Sequence, residues 1–343
     1  MSDRPLIQLT LARLREFVRE PEALFWAFVF PVVMSVVMAV AFPARGNSPV
    51  VIGIAAGAEA AGVRAALAAE PAITVRDVAP GSEQRALREG EVHLIVVPTM
   101  PPAYRFDPGR VESRTARLLV DDALKRGAGR TDPWTATEEP QQIPGSRYID
   151  WLIPGLVGLG IMSTSMWGIG FSVAQSRMRK VLKLLVATPM RRRDYLGAQM
   201  LARLVFLAPE VAVPVAFGVY VLSMPMRGSV TALVIVSVIG ALAFGALGLF
   251  VASRARTFEA ISGLMNVSML PMWLLSGVFF SAANFPATVQ PVIQALPLTA
   301  LNDALRAVVL EAVTLRGIQA ELWTLMAWGI GSFAVALRIF RWR

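Results

Sequence analysis

The chain has 343 residues, of which 55% are hydrophobic and 17% charged, with a net charge of +9, no cysteine and one histidine. Soluble domains carry about 25% charged residues, so this composition excludes an ordinary soluble enzyme and indicates an integral membrane protein. Without cysteine the chain has no disulfide, thiolate metal site or cysteine nucleophile. His93 alone supplies too few ligands for most transition-metal sites, and we expect it to be structural.

The sequence predicts an α-helical membrane protein with six transmembrane helices. A spanning helix needs about 20 apolar residues. Six windows fit or approach this length: Ala23–Phe42, Trp151–Ala174, Leu204–Met226, Val230–Ser253, Ala260–Phe285 and Leu322–Leu337. Ala39-Val40-Ala41 resembles a signal-peptidase site, but the acidic residues before the first window favour an uncleaved anchor.

The distribution of basic residues predicts the orientation of these spans. Lys and Arg are retained on the cytoplasmic side during insertion. With the N terminus inside, 17 of the 33 basic residues fall on the cytoplasmic side and give it a strong positive excess. We therefore expect both termini in the cytoplasm, and the charge of the chain reflects its topology rather than nucleic-acid binding.

Four parts follow from this topology. They are an amphipathic helix in the cytoplasmic interface over residues 1–22, the first span over 23–42, an extracytoplasmic α/β domain with its linker over 43–147, and a five-helix transmembrane domain over 148–343. Ile7, Leu11 and Leu14 recur at helical spacing in the first part. This helix lies in the membrane interface, packs on the protein's own loops, or does both.

The region between the first two spans alternates strand and helix patterns, which is typical of a small α/β domain. The predicted strands are Val50–Ala55, Ile73–Val78, Val92–Val97 and Tyr104–Asp107, and the predicted helices are Ala58–Ala69, Ser82–Arg88 and Val111–Arg126. Residues 127–145 are rich in Gly, Pro, Thr and Glu and read as a linker.

Two further segments of the transmembrane domain have particular patterns. Residues 175–198 form a basic cytoplasmic loop whose apolar positions predict a short amphipathic helix. Residues 286–312 are interrupted by prolines and carry Asp303 and Arg306. A hairpin that enters the outer leaflet and returns keeps these charges out of lipid and the C terminus inside.

Nucleotide-binding and hydrolase motifs are absent from the sequence. It contains no G-x-x-x-x-G-K-[ST], no G-x-S-x-G and no H-E-x-x-H. The chain is therefore not expected to be an enzyme or to hold a cofactor or metal.

The basic loop resembles the L-x-x-T-P segment of ATP-binding-cassette (ABC) export permeases of the drug, polysaccharide and lipid class. Here the segment is Leu184-Leu185-Val186-Ala187-Thr188-Pro189. Residues 148–155 and 296–299, and the order of one span, a large outer domain and five spans with a hairpin, are similar to that class.

This resemblance implies a permease subunit of the bacterial inner membrane that exports an apolar or amphipathic molecule, such as a drug or lipid. It implies a homodimer and a separate ATPase subunit, which binds ATP and magnesium, with membrane lipid and a periplasmic protein as further partners. The implied ATPase-coupling residues are Arg177, Arg179, Lys180, Leu182, Lys183, Leu185, Thr188 and Pro189.

Polar and adaptable residues within the spans are candidates for the substrate pathway or gating. They are Glu210, Asn266, Met269 and Trp273. Glu210 lies seven residues after Arg203, and this spacing favours a structural ion pair over a pathway or gating role. Two other functions also stay open: a membrane sensor or scaffold with a ligand-binding outer domain, and an ion-coupled carrier that depends on Glu210.

Overall fold

A computed structural model describes residues 5–41, 49–131, 145, 147–178, 192–253 and 257–339. The chain divides into two compact units, one made of residues 1–44 and 142–343 and the other of residues 45–141. The first unit is helical, and its N-terminal helices are α1 (Pro5–Val18), α2 (Pro21–Leu24), a π-helical turn (Phe25–Val29) and α3 (Phe30–Ala41).

The second unit is a small α/β fold. Its elements are β1 (Val50–Ile54), α4 (Ala60–Ala68), β2 (Ile73–Asp77), α5 (Glu83–Glu89), β3 (Leu94–Val97), β4 (Ala103–Arg105) and α6 (Val111–Gly127). Every strand and helix predicted in this region is present, with ends that differ by at most two residues. Gly90 ends α5 in the left-handed conformation that glycine adopts without steric cost.

The sheet has the strand order β2-β1-β3-β4, in which β1 pairs parallel with β2 and β3, and β4 is antiparallel. Side chains of β1 and β3 alternate between two apolar clusters because successive residues of a strand point to opposite faces. Ile52 and Leu94 pack with residues of α4 and α6, whereas Ile95 packs with residues of α5. The sheet is thus covered by helices on both faces.

The rest of the first unit consists of longer helices. These are α7 (Tyr148–Met178), α8 (Arg192–Tyr220), α9 (Val230–Ala252), α10 (Phe258–Leu275), α11 (Gln290–Ala295), α12 (Pro297–Glu311) and α13 (Gln319–Ile339). Pro291 and Pro297 stand in the first turns of α11 and α12, where a missing N–H costs no hydrogen bond. α1 packs against α8, a helix and not one of the loops named as its alternative partner.

α9 is the centre of this unit. It is apolar around its whole circumference, as expected of a helix inside a membrane protein, and packs on α7, α8, α10, α12 and α13. One core cluster joins α7, α8, α9 and α12, with Leu152, Phe244 and Leu301 among its fully buried side chains.

Five of the described helices are long and apolar enough to cross a membrane: Tyr148–Ser172, Leu201–Tyr220, Val230–Ala252, Phe258–Leu275 and Gln319–Ile339. Each overlaps one of the predicted windows, although the helix Phe258–Leu275 ends ten residues before the end of the window Ala260–Phe285. The first predicted window corresponds to the shorter apolar helix Phe25–Ala41. The molecule is therefore a helical membrane protein with five helices of spanning length in its described part.

The predicted hairpin region contains two helices with a sharp break between them. α11 ends before Leu296, which is extended, and α12 starts at the next residue and ends at Ala312 with a left-handed backbone. α12 packs on α7, α9 and α13 and is buried along most of its length.

Candidate functional site

The predicted coupling segment lies almost wholly outside the described residues. The backbone of Arg177 falls in the last turn of α7, and α8 starts at Arg192. The remaining predicted coupling residues are outside the described ranges: Arg179, Lys180, Leu182, Lys183, Leu185, Thr188 and Pro189. The structure therefore defines the two helices that flank this segment, and the segment's contacts stay a prediction.

Four polar side chains meet between α7 and α8, and we call them the polar seam: Thr164, Ser165, Arg203 and Glu210. Arg203 Nη1 donates to Glu210 Oε2 at 2.6 Å, and Thr164 Oγ1 donates to Glu210 Oε1 at 2.6 Å. Arg203 Nε donates to Ser165 Oγ at 2.8 Å. The structure thus confirms the predicted ion pair and adds two partners from α7.

Both charges of the polar seam are enclosed by protein. Arg203 is 8% exposed and Glu210 is 3% exposed. An ionised side chain near the middle of a membrane helix costs about 3 kcal/mol on insertion scales, and pairing reduces that cost. Each carboxylate oxygen of Glu210 accepts a hydrogen bond, so the seam is a satisfied link between the helices on either side of the coupling segment.

The other predicted pathway residues lie on α10. Asn266 is exposed, Met269 is partly buried against the main core cluster, and Trp273 is 40% exposed. The Trp273 ring lies 6.3 Å from the ring of Phe279 between centroids. The structure thus places the four candidates at two locations, Glu210 in the polar seam and the other three on a span that packs against α7, α9 and α12.

A second ion pair, which the sequence analysis did not single out, lies at the start of α7. Arg147 donates to both carboxylate oxygens of Asp150, at 3.0 and 2.7 Å, and to the carbonyl oxygen of Ser223 at 2.8 Å. The Tyr148 hydroxyl donates to the carbonyl oxygen of Phe279 at 3.1 Å. The spacing of three residues between Arg147 and Asp150 was the available signal, since such residues are neighbours on a helix.

The α/β unit contains a hydrogen-bonded tyrosine and a structural histidine. Tyr104 donates to Asp121 Oδ1 at 3.2 Å, and Lys125 donates to Asp121 Oδ2 at 2.7 Å. Burial, aided by the Asp121 charge, raises the pKa of Tyr104 to about 12. The backbone N–H of Val51 donates to Nδ1 of His93 at 3.1 Å, which supports the structural role expected of that histidine.

The membrane helices match a known family. Residues 127–310 match the model of the family described as ABC-2 type transporter, and this match spans more than half of the 343 residues. The chain belongs to the ABC-2 type transporter family. Of the described helices, the match contains α7 to α11 and nearly all of α12, so the polar seam lies within the part that defines the ABC-2 type transporter family.

Individual relatives agree with this assignment. The chain is 23% identical over 198 residues to an Escherichia coli protein named probable multidrug ABC transporter permease YbhR. The aligned residues make up 58% of this chain and 54% of the relative. It is 26% identical over 121 residues, or 35% of this chain and 32% of the relative, to the E. coli inner membrane transport permease YhhJ.

A eukaryotic relative is ABC transporter G family member 20 of Dictyostelium discoideum, which is 25% identical over 181 residues, or 52% of this chain and 24% of the relative. The chain therefore spans about half the length, or less, of the curated relatives it matches.

Proposed function

We propose that the chain is the permease subunit of an ABC exporter that moves an apolar or amphipathic molecule, such as a drug or lipid. The observation that carries this proposal is the match of the helical unit to the ABC-2 type transporter family. The names of the relatives, which include multidrug ABC transporter permease, support export of such molecules.

The proposed topology has six spans, with Phe25–Ala41 crossing together with α2, and both termini in the cytoplasm of a bacterial inner membrane. The excess of basic residues on that side supports it. The α/β unit is then extracytoplasmic, where its proposed partner is a periplasmic protein. Residues 286–312 form a re-entrant hairpin, supported by the abrupt turn between α11 and α12 at Leu296.

The proposed machine contains two permease chains and two copies of a separate ATPase, which binds ATP and magnesium. Residues 175–198 contact the ATPase and transmit its closure to α7 and α8, as an amphipathic helix seated in a groove does. The ATPase must bind two conformations of this loop with different affinity, because only a differential interaction shifts a conformational equilibrium.

We assign the polar seam to gating through mechanical linkage. Arg203 and Glu210 bind α8 to Thr164 and Ser165 of α7, so the two helices that carry the coupling loop move together. Glu210 is enclosed and fully paired, which favours this linkage over direct contact with a substrate.

The proposed substrate pathway runs along α10. Its exposed side presents Asn266 and Trp273, with Met269 at the edge, and combines an amide with adaptable apolar surface. Such a surface suits amphipathic molecules of varied shape.

Charge reversal in the coupling loop tests the proposal. Inverted membrane vesicles that contain the chain and its ATPase should take up the amphipathic dye ethidium when ATP is added. The double substitution Lys180→Glu/Lys183→Glu should abolish both this uptake and co-purification of the ATPase. Arg316→Glu, an exposed basic residue in the loop before α13, is the matched control and should change neither. Unchanged ATPase association in the double variant would refute the coupling assignment.

An ion-coupled carrier predicts a different pattern. Its transport would continue without ATP and would stop when Glu210 is replaced by an uncharged residue. ATP-dependent uptake that tolerates an apolar replacement of the whole Arg203–Glu210 pair would exclude that alternative.

A further inference from the structure

Two buried polar side chains of α12, one helical turn apart, reach the carbonyl groups that follow α10. Asn302 Nδ2 donates to the carbonyl oxygen of Ser276 at 3.0 Å, and Arg306 Nη2 donates to that of Gly277 at 2.5 Å. These carbonyls belong to the C-cap residue Ser276 and to Gly277 just beyond it, next to the negative end of the α10 dipole. An amide and a cation are therefore well suited to stabilise this end of α10, and we call the pair Asn302 and Arg306 the α12 latch.

The guanidinium of Arg306 is also held by α7. It lies 3.5 Å from the ring centroid of Trp151, and its Nε donates to the Trp151 carbonyl oxygen at 3.3 Å. Arg306 is 4% exposed, so these contacts are made in the interior. A planar guanidinium reaches carbonyls of two segments while it stacks on a ring, which the single ammonium group of lysine cannot do.

Two glycines of α7 provide the space for the latch. A Cβ atom at Gly155 would lie 2.9 Å from Arg306 Nη2 and 2.9 Å from the carbonyl oxygen of Val278. The corresponding position at Gly158, one turn later, is filled by the amide oxygen of Asn302. Gly168 in the same helix has open space around it. Close approach also occurs later in α7, where a Cβ atom at Gly170 would meet the side chain of Met265 and the backbone of Gly248. At Gly155 and Gly158 the close neighbours include the latch itself.

α10 has few other buried contacts. Only 17% of its span is buried, compared with 67% for the span of α7 and 61% for that of α9. Elements with few buried contacts are the ones that move at low free-energy cost. The anchored end therefore has a large influence on the direction in which α10 runs.

We propose that Arg306, supported by Asn302, is a positioning residue for transport. It fixes the end of α10 against α7 and thereby sets the geometry of the surface that carries Asn266 and Trp273. The role of that surface rests on the proposed function, but the placement of α10 by the latch does not.

Spin-label distances test the placement directly. The chain has no native cysteine, so Val213→Cys on α8 and Leu270→Cys on α10 can be labelled selectively. Both positions are exposed. The distance is measured in the full chain, in lipid nanodiscs assembled with an excess of unlabelled chain, so that pairs within one chain dominate.

Arg306→Lys should move or broaden this distance by about 1–2 Å, the size of helix shifts in switching proteins. Gly155→Ala, which displaces Arg306 without removing it, should cause the same change. Gly168→Ala is the matched control and should leave the distance unchanged. If Arg306→Lys fails to fold, the spin-label distances of Gly155→Ala and Gly168→Ala are compared instead to test the placement of α10. An unchanged distance in folded Gly155→Ala would overturn the proposal.

Transport provides the second measurement. Arg306→Lys and Gly155→Ala should raise the apparent KM for ethidium uptake severalfold while ATPase co-purification is retained, whereas a merely stabilising residue would lower the amount of folded protein and leave KM unchanged. If the distance shifts in the variants but the native protein shows no ATP-dependent uptake, the proposed function is contradicted. The placement of α10 by the latch would still stand. An unchanged KM with a shifted distance would refute the role of the latch in transport.

Discussion

The Arg203–Glu210 pair illustrates how a buried charge constrains both stability and function at the level of single residues. Removing one partner of a buried pair costs about 3–5 kcal/mol, because the other charge is left without compensation, whereas replacing both by apolar residues is often neutral. The two residues lie on one helix, so the pair also depends on the hydroxyl groups that α7 supplies.

We predict that Glu210→Leu strongly lowers the Tm of the detergent-solubilised chain, and that Arg203→Met/Glu210→Leu restores most of the loss. ATP-driven ethidium uptake should return with the double substitution, since apolar side chains then pack α8 against α7 in place of the polar link and no ion-binding site is lost. Thermal unfolding and vesicle uptake measure these effects. Recovery of Tm without recovery of uptake would show that Glu210 has a chemical role beyond linkage.

Tyr104 supplies a prediction for pH dependence. Its pKa is raised to about 12, so the folded unit favours the neutral phenol. This contribution to stability is present below the unfolded pKa of about 10 and is lost as the pH rises through the folded value. Tyrosinate absorbance of the full chain should show a step near pH 12 that disappears in Tyr104→Phe.

The neighbouring acids provide a matched control for this titration. Asp121→Asn should lower the pKa of Tyr104, because the nearby negative charge is removed. Asp122→Asn should leave it nearly unchanged, since Asp122 pairs with Arg126 and Arg130. Equal effects of the two substitutions would contradict this description of the Tyr104 environment.

At the level of elements, glycines show where backbone geometry is decisive. Gly90 has a positive φ of 75° at the end of α5, whereas Gly62 lies within α4 with nothing near its missing Cβ. Gly90→Ala should destabilise its segment by about 1 kcal/mol and Gly62→Ala should stabilise it by up to about 1 kcal/mol. Hydrogen exchange of the two helices in the full chain measures both, and faster exchange in both variants would contradict the prediction.

The elements were largely predictable from local patterns. Apolar windows of spanning length and the alternation of β1, β2 and β3 are signals contained within one segment, and the structure reproduces them. The Arg203–Glu210 pair was also predictable, since both residues lie on one helix. The α12 latch was not, because Arg306 meets Trp151 from 155 positions away along the chain. Such a contact depends on how α7, α10 and α12 pack together.

The proposed topology of the whole molecule can be tested with single cysteines, because the chain has no native cysteine. A cysteine in place of Met100, an 85% exposed residue of the α/β unit, should react with a membrane-impermeant maleimide added to intact spheroplasts. A cysteine in place of Ala187, in the coupling loop, should react only after the membrane is permeabilised. The reverse pattern would contradict the orientation.

In the proposed transporter, this chain works together with a separate ATPase. The most direct test is to purify the tagged chain from native membranes in mild detergent and to measure which proteins accompany it and in what ratio. We predict a nucleotide-hydrolysing subunit at one copy per permease chain, lost in Lys180→Glu/Lys183→Glu. A folded chain that reproducibly purifies without such a subunit would contradict it and favour the sensor or ion-coupled alternatives.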